Sequence, residues 1–158
     1  MNAESPPLST IREVAAGCLC FAAQRAARRL ARHFDRAFQP SGLTNHQFTA
    51  LLCISVGGQT PGRLAEVLGM DRTTVTSLVK TLERSGLAES RNDAEDGRVR
   101  RLAITAEGCG RLAVALPIWR EEQAKLDASL PDGALTAGRS FLDALAAASC
   151  VDPRRAQS

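Results

Sequence analysis

Between Asp71 and Gly86 the sequence spaces Val75, Leu78, Val79 and Leu82 at i, i+3, i+4 and i+7. A helix that buries those four turns Arg72, Thr73, Thr76, Ser77, Lys80 and Arg84 outward, with Thr74 in its first turn. Short hydroxyls approach base edges and phosphates closely, and the flanking cations reach phosphate oxygens or guanine. That is the mix a helix needs in the major groove of a duplex, and no catalytic purpose asks for it. Further on, Arg98, Arg100 and Arg101 follow the polar, turn-rich stretch Asn92-Asp93-Ala94-Glu95-Asp96-Gly97. A tip arginine of such a hairpin can enter the narrow, electronegative minor groove. Asp93, Glu95 and Asp96 repel phosphate unless they pair with neighbouring guanidiniums, and Asp96 with Arg91 or Arg98 is the expected pair, contributing about 0–1 kcal/mol while exposed. The bland alternative is a helical hairpin with a hydrophilic face, used as a protein-interaction module.

The elements that must position these residues follow from periodicity and punctuation. From Ile11 to Phe38 apolar residues recur three or four apart at Val14, Cys18, Phe21, Ala26, Leu30, Phe34 and Phe38, predicting one long amphipathic helix ended by Pro40-Ser41-Gly42. Its other side carries Arg25, Arg28, Arg29, Arg32 and Arg36, read as a solvated face, with phosphate or partner contact as the alternative. Thr44 and Gln47 make a capping box for a second helix that stops at Gly57-Gly58. A short third helix starts behind Thr60 with Pro61 at its first position and ends at Gly69. Asp71 caps the fourth, which ends at Gly86. Leu87–Arg91 and Val99–Thr105 read as the strands of one β-hairpin. A fifth helix runs from Thr105 to about Ser129, with a kink expected at Pro117, and a sixth covers Ala134 to Cys150.

Composition bounds the answer. The chain has 158 residues, 44% hydrophobic and 23% charged, as an ordinary globular domain has, which excludes disordered, collagen-like and coiled-coil classes. The net charge of +3 hides an uneven spread: Ile11–Gln39 holds six arginines against Glu13 and Asp35. No apolar run reaches the length of a membrane span and no signal peptide is visible, so a cytoplasmic protein is expected. The five cysteines, Cys18, Cys20, Cys53, Cys109 and Cys150, are scattered and read as reduced thiols. Cys18, Cys20, His33 and His46 lack zinc-like spacing, so neither metal nor cofactor is expected, and neither histidine has the companions of a Cys-His hydrolase. Gly108-Cys109-Gly110 imitates a dinucleotide fingerprint but follows a hairpin strand, and is set aside.

The runs Leu64-Ala65-Glu66-Val67-Leu68-Gly69-Met70-Asp71-Arg72-Thr73-Thr74-Val75-Thr76, Leu82-Glu83-Arg84-Ser85-Gly86-Leu87, Asp96-Gly97-Arg98 and Leu102-Ala103-Ile104-Thr105 resemble the winged-helix core of the MarR transcriptional regulators. The resemblance implies a mainly α fold of six helices with a small β-hairpin wing. It implies a single domain over residues 1–158, with dimerisation helices at about 11–38 and 106–150 and a DNA-binding core at about 44–105. It also implies a homodimer, each subunit presenting one winged helix to half of an inverted-repeat operator on double-stranded DNA, most simply as a repressor. Arg98 falls on the family's minor-groove position, and Arg72, Thr73 and Thr76 on its helix positions. Gly97 replaces one arginine of the usual Asp-Arg-Arg, so one positive charge is missing from the wing.

Release by a small-molecule effector, phenolic or an aromatic acid, is a further implication of the resemblance. A cleft enclosing Phe21, Phe34, Phe48 and Trp119 among the first, second and fifth helices is the expected site. The alternative is thiol sensing of hydroperoxide: Leu19-Cys20-Phe21-Ala22 resembles the reactive-cysteine stretch of one branch of the family. The chain has no tyrosine to orient Cys20, with Gln24 and Phe34 at the matching positions. Cys18 and Cys20, both placed on one helix, are expected to point to different faces and not to bridge.

Overall fold

Helix boundaries in this chain are written into local side chains, and the computed structural model, which describes residues 5–57, 59–93 and 96–149, follows most of them. The order is α1 Leu8–Gly17, α2 Leu19–Ala37, a 3-10 turn Gln39–Ser41, α3 Asn45–Ser55, α4 Pro61–Leu68, α5 Arg72–Arg84, β1 Ala88–Asn92, β2 Arg100–Ile104, α6 Ala106–Ala128 and α7 Ala134–Ser149. The seventh helix arises because the expected long first helix is broken. Gly17, the weakest helix former in the run, ends α1, and Cys18 sits in extended conformation (φ −75°, ψ 104°). Cys18 Sγ then caps α2, accepting from Phe21 N at 3.4 Å. Cys18 and Cys20 therefore do not share a helix. The end of α7 at Cys150 and the wing residue Glu95 lie outside the described residues.

The segment from Thr44 to Gly86 keeps its predicted punctuation. Thr44 and Gln47 exchange both bonds of the capping box at α3. Thr60 Oγ1 accepts from Arg63 N at 3.1 Å to open α4 behind Pro61, and Gly69 closes it at φ 61°. Asp71 Oδ1 accepts from Thr74 N at 2.8 Å to open α5.

The described chain divides into two compact units, Met1–Ile118 and Trp119–Ser158. In the first, Phe38 is fully buried and stacks between Phe34 and Phe48, with ring centroids 5.5 and 4.5 Å away. Leu51, Ile54, Leu64, Val75, Leu82 and Leu102 continue that core through α3, α4, α5 and the wing. Burial of such side chains contributes roughly 1.5–3 kcal/mol each, which is what fixes α5 on its neighbours. The wing is a two-stranded antiparallel sheet pairing Ala88 with Ile104 and Asn92 with Arg100. Gln59, before α4, adds one rung when its carbonyl accepts from Leu102 N at 2.8 Å.

The root of the wing is fastened to α6. Thr105 Oγ1 donates to Gly86 O at 2.5 Å and accepts from Gly108 N at 3.1 Å, capping the helix. Gly108 is buried there because a Cβ would lie 2.1 Å from Leu87 O. The glycine that imitates a nucleotide fingerprint is a packing residue. In the second unit α7 follows Gly133 (φ 75°) and leaves Phe141 and Leu142 exposed.

Candidate nucleic-acid interface

Val75, Val79 and Leu82 are buried on one side of α5, and Leu78 is partly buried with them. The other side is open. Arg72, Thr73, Thr76, Ser77 and Lys80 line one concavity of about 360 Å³ with no carboxylate among them. Thr73 and Ser77 form the ridge to a second concavity of about 450 Å³, shared with Thr74, Thr81, and Thr44 and Gln47 of α3. Thr44, Gln47 and Thr81 are absent from the residues picked out by sequence. Thr44 and Gln47 were legible only as a cap, since their meeting with α5 depends on the packing of α3.

Three hydroxyls on α5 are already engaged, Thr81 Oγ1 donating to Ser77 O at 3.0 Å. Thr76 Oγ1 donates to Arg72 O at 2.7 Å, and Thr74 Oγ1 donates to Asp71 Oδ2 at 2.6 Å. The second bond, with that from Thr74 N, holds the Asp71 carboxyl below its ordinary pKa. Asp71 thus serves the helix N-terminus, and Arg72 beside it has no carboxylate partner among the described residues. Arg84 lies in the last turn, donating to Thr81 Oγ1 at 3.2 Å.

On the wing the register sets Arg91 directly opposite Arg101, a repulsive pair. Each is relieved by an acid of its own: Glu89 pairs with Arg91, and Asp93 with Arg101. The expected pair of Asp96 with Arg91 or Arg98 is not what forms among the described residues. Asp96 Oδ1 instead accepts from the backbone N of Arg98 at 2.9 Å, and Asp96 N donates to Asp93 Oδ1 at 3.1 Å. The reason is reach, because a turn places these short acids against their own backbone. The described acids of the tip are consumed, while Arg98 and Arg100 stand exposed with no carboxylate partner among the described residues. Ser90 Oγ donates to Glu83 Oε1 at 2.5 Å, tying β1 to α5.

The residues expected at an effector cleft fall in different parts of the chain's packing. Phe34 and Phe48 belong to the core stack around Phe38, and Trp119 lies in the second unit. Phe21 instead lines an almost wholly apolar concavity of about 480 Å³ with Pro6, Ile11, Val14 and Cys18. The Arg25 guanidinium lies 5.6 Å from the Phe21 ring centroid. Cys20 is exposed, and its Sγ accepts from Gln24 Nε2 at 3.1 Å while Arg28 holds the Gln24 oxygen at 2.9 Å. Cys53 behaves as a core thiol, its pKa raised by burial. Among the described residues no three His, Cys, Asp or Glu side chains converge to hold a metal, and no helix is long and apolar enough to cross a membrane.

A short helix, a turn, a second helix with an open polar face and a strand pair behind it define a winged helix-turn-helix protein. The pattern of the MarR family matches residues 41–99. The chain is 38% identical to the transcriptional regulator MosR of Mycobacterium tuberculosis, solved in complex with DNA, over 85% of this chain and 99% of that one (TM-score 0.74). It is 27% identical to the transcriptional repressor CouR bound to a 23-mer DNA duplex, over 84% and 95% of the two chains (TM-score 0.75). An uncharacterised helix-turn-helix regulator of Bacillus subtilis, YwoH, is 30% identical over 84 residues, which span 52% of this chain and 61% of that protein. The chain belongs to the MarR family of winged-helix transcriptional regulators.

Proposed function

We propose that this protein is a DNA-binding transcriptional repressor that sits as a homodimer on an inverted repeat. The observation that carries the reading is the carboxylate-free concavity of Arg72, Thr73, Thr76, Ser77 and Lys80 on a helix held rigidly from behind. In the major groove, Arg72 and Thr73 face base edges, while Lys80 and Arg84 take phosphates, with Thr74, Thr76 and Ser77 close enough for hydroxyl contacts. Arg98 enters the minor groove, and Arg100 holds the backbone beside it. The DNA complexes of MosR and CouR support the same use of this fold. Homodimerisation is supported by α1, which buries none of its residues, and by the exposed Phe141 and Leu142 of α7. Two reading heads then address half-sites about 34 Å apart.

The test is selection of bound duplexes from a random pool, with an inverted repeat expected. On the selected site Arg98→Ala weakens binding by about 1–3 kcal/mol without changing the dimer mass. Arg72→Ala or Thr76→Ala shifts the preferred bases, and Lys80→Ala mainly flattens the salt dependence. Identical sites and affinities for all variants, or a monomer by light scattering at micromolar concentration, reject the reading.

Release by a small apolar anion is supported by the concavity at Phe21 and by the Arg25 guanidinium over the Phe21 ring. A second reading, thiol sensing at Cys20, is favoured by the Gln24 amide, which donates to Sγ where a tyrosine was missing. The two separate when DNA release by hydroperoxide and by an aromatic acid is compared for native protein and Cys20→Ser. Loss of the peroxide response alone in the variant selects the thiol.

A further inference from the structure

The arginine face of α2 takes no part in the helix-turn-helix or the wing. Arg25, Arg28, Arg29, Arg32 and Arg36 are all exposed, and they lie three or four residues apart, so each repels its neighbours. Several exposed helical cations elsewhere are neutralised within a turn: Arg63 with Glu66, Arg111 with Glu107, Lys125 with Glu121 and Glu122. On α2 the one acid, Asp35, is spent on another task, its Oδ1 accepting from Asn45 N at 2.7 Å at the start of α3. No carboxylate partner reaches these five guanidiniums among the described residues. A stripe of solvated guanidiniums without internal counter-charge is open to an external one.

The end of α2 that carries Arg36 is also tied to the start of α3, whose cap lines the concavity beside α5. The concavity beside α5 includes Thr44, the next residue, Asn45, is held by Asp35, and Arg36 adjoins Asp35 on α2. From there Arg32, Arg29 and Arg25 climb away over about 16 Å of helix. Along that length one strand of a duplex presents about five phosphates.

We propose that the arginine stripe of α2 is a second, sequence-independent binding surface for the DNA backbone, engaging duplex that flanks the operator. This inference rests on the reading of the protein as an operator-binding regulator. Guanidinium forks suit it, since they bind phosphate bidentately without reading a base. The stripe lengthens the contacted DNA beyond the half-sites and adds affinity that depends on salt and on duplex length but not on flanking sequence.

The test uses full-length protein and the selected inverted repeat, either trimmed at its edges or extended by about ten base pairs of arbitrary sequence on each side. Native protein is expected to bind the extended duplex at least tenfold more tightly at low salt. Its log–log salt slope should be steeper there by about 0.9 for each extra phosphate neutralised. The combined variant Arg29→Gln, Arg32→Gln and Arg36→Gln, which keeps good helix formers, should bind the trimmed duplex normally and lose most of the gain from extension. The double variant Arg29→Gln, Arg32→Gln serves if the threefold change alters folding, with a smaller part of the slope difference lost. Native protein that gains nothing from the flanks, or variants that keep the full gain, overturns the proposal. So does a changed dimer mass in the variants with unchanged flank dependence, which assigns the stripe to a second copy instead. Arg98→Ala keeps the failures apart: it should lower affinity on both duplexes alike, and if it does so while the stripe variants change nothing, the operator reading stands and only the stripe falls.

Discussion

Gly108→Ala adds one methyl group at the junction of α6 and the wing, and its consequence can be worked from the contacts there. The new Cβ would lie 2.1 Å from Leu87 O and 2.8 Å from Ile104 Cγ1, where ordinary contact begins at 3.4 Å. The nearer obstacle is backbone, so helix and strand must part. Leu87 O also accepts from Thr105 N at 3.2 Å, and Gly86 O from Thr105 Oγ1, so separation loosens both bonds. Overpacking costs about 1–3 kcal/mol. Each weakened hydrogen bond adds about 0.5–1.5 kcal/mol. Alanine in a helix returns about 1 kcal/mol relative to glycine. The net expectation is a loss of about 2–3 kcal/mol, which lowers the thermal midpoint of a chain this size by roughly 6–10 °C. Gly110→Ala is the matched control, on the same helix with nothing within 4 Å of its Cβ, and should be neutral or stabilising by up to about 1 kcal/mol. Circular dichroism during heating and urea titration measure both. If Gly108→Ala proves as stable as the native chain, or tracks Gly110→Ala, the close approach of α6 to the wing root does not exist in solution.

Other expectations follow from single contacts. The Asp71 carboxyl is held below its ordinary pKa by Thr74, so its contribution is complete above the usual carboxylate range and is lost as pH falls through the lowered value. The stability gap between native protein and Asp71→Asn, followed by thermal midpoint, should therefore narrow on acidification, and a widening gap would contradict the cap. Gln59 Oε1 is buried without a hydrogen-bond partner among the described residues, so Gln59→Met should be neutral or stabilise by about 1–3 kcal/mol in urea titrations, since the carbonyl that bonds Leu102 is retained. Ser90→Ala removes the bond to Glu83 that ties β1 to α5, and it should weaken operator binding several-fold while preserving the bases preferred by α5. A changed base preference would show that the bond serves the helix and not the wing.

The reading head was legible because its signals act within a few residues. Thr44 with Gln47, Thr60 with Pro61, and Asp71 with Gly86 each satisfy or end a helix by local bonds, so one sequence window contains both partners. The break at Gly17 was hidden, since a single glycine in a run of Ala and Arg interrupts no periodicity and Cys18 is an unusual cap. The wing's charge pairing was hidden for another reason. Which acid meets which arginine depends on the register that sets Arg91 against Arg101, and strand register is a property of two segments. The role of Gly108 likewise lies in what a distant carbonyl leaves no room for. Phe34 and Phe48 read equally well as core or as pocket lining from spacing alone, and only their stacking on Phe38 decides between the two.

The self-contained punctuation of α3, α4 and α5 bears on how the chain acquires its shape. Each of these helices carries its own side-chain cap at the start, and Gly69 and Gly86 adopt the left-handed conformation that stops α4 and α5. Segments whose start and stop signals lie within themselves close short loops first and meet a small entropic barrier. The head should therefore assemble early in refolding, in a phase whose rate does not change with protein concentration, before any encounter between chains. A regulator built this way has its helix-turn-helix formed by its own local signals, ahead of any slower step of docking or assembly.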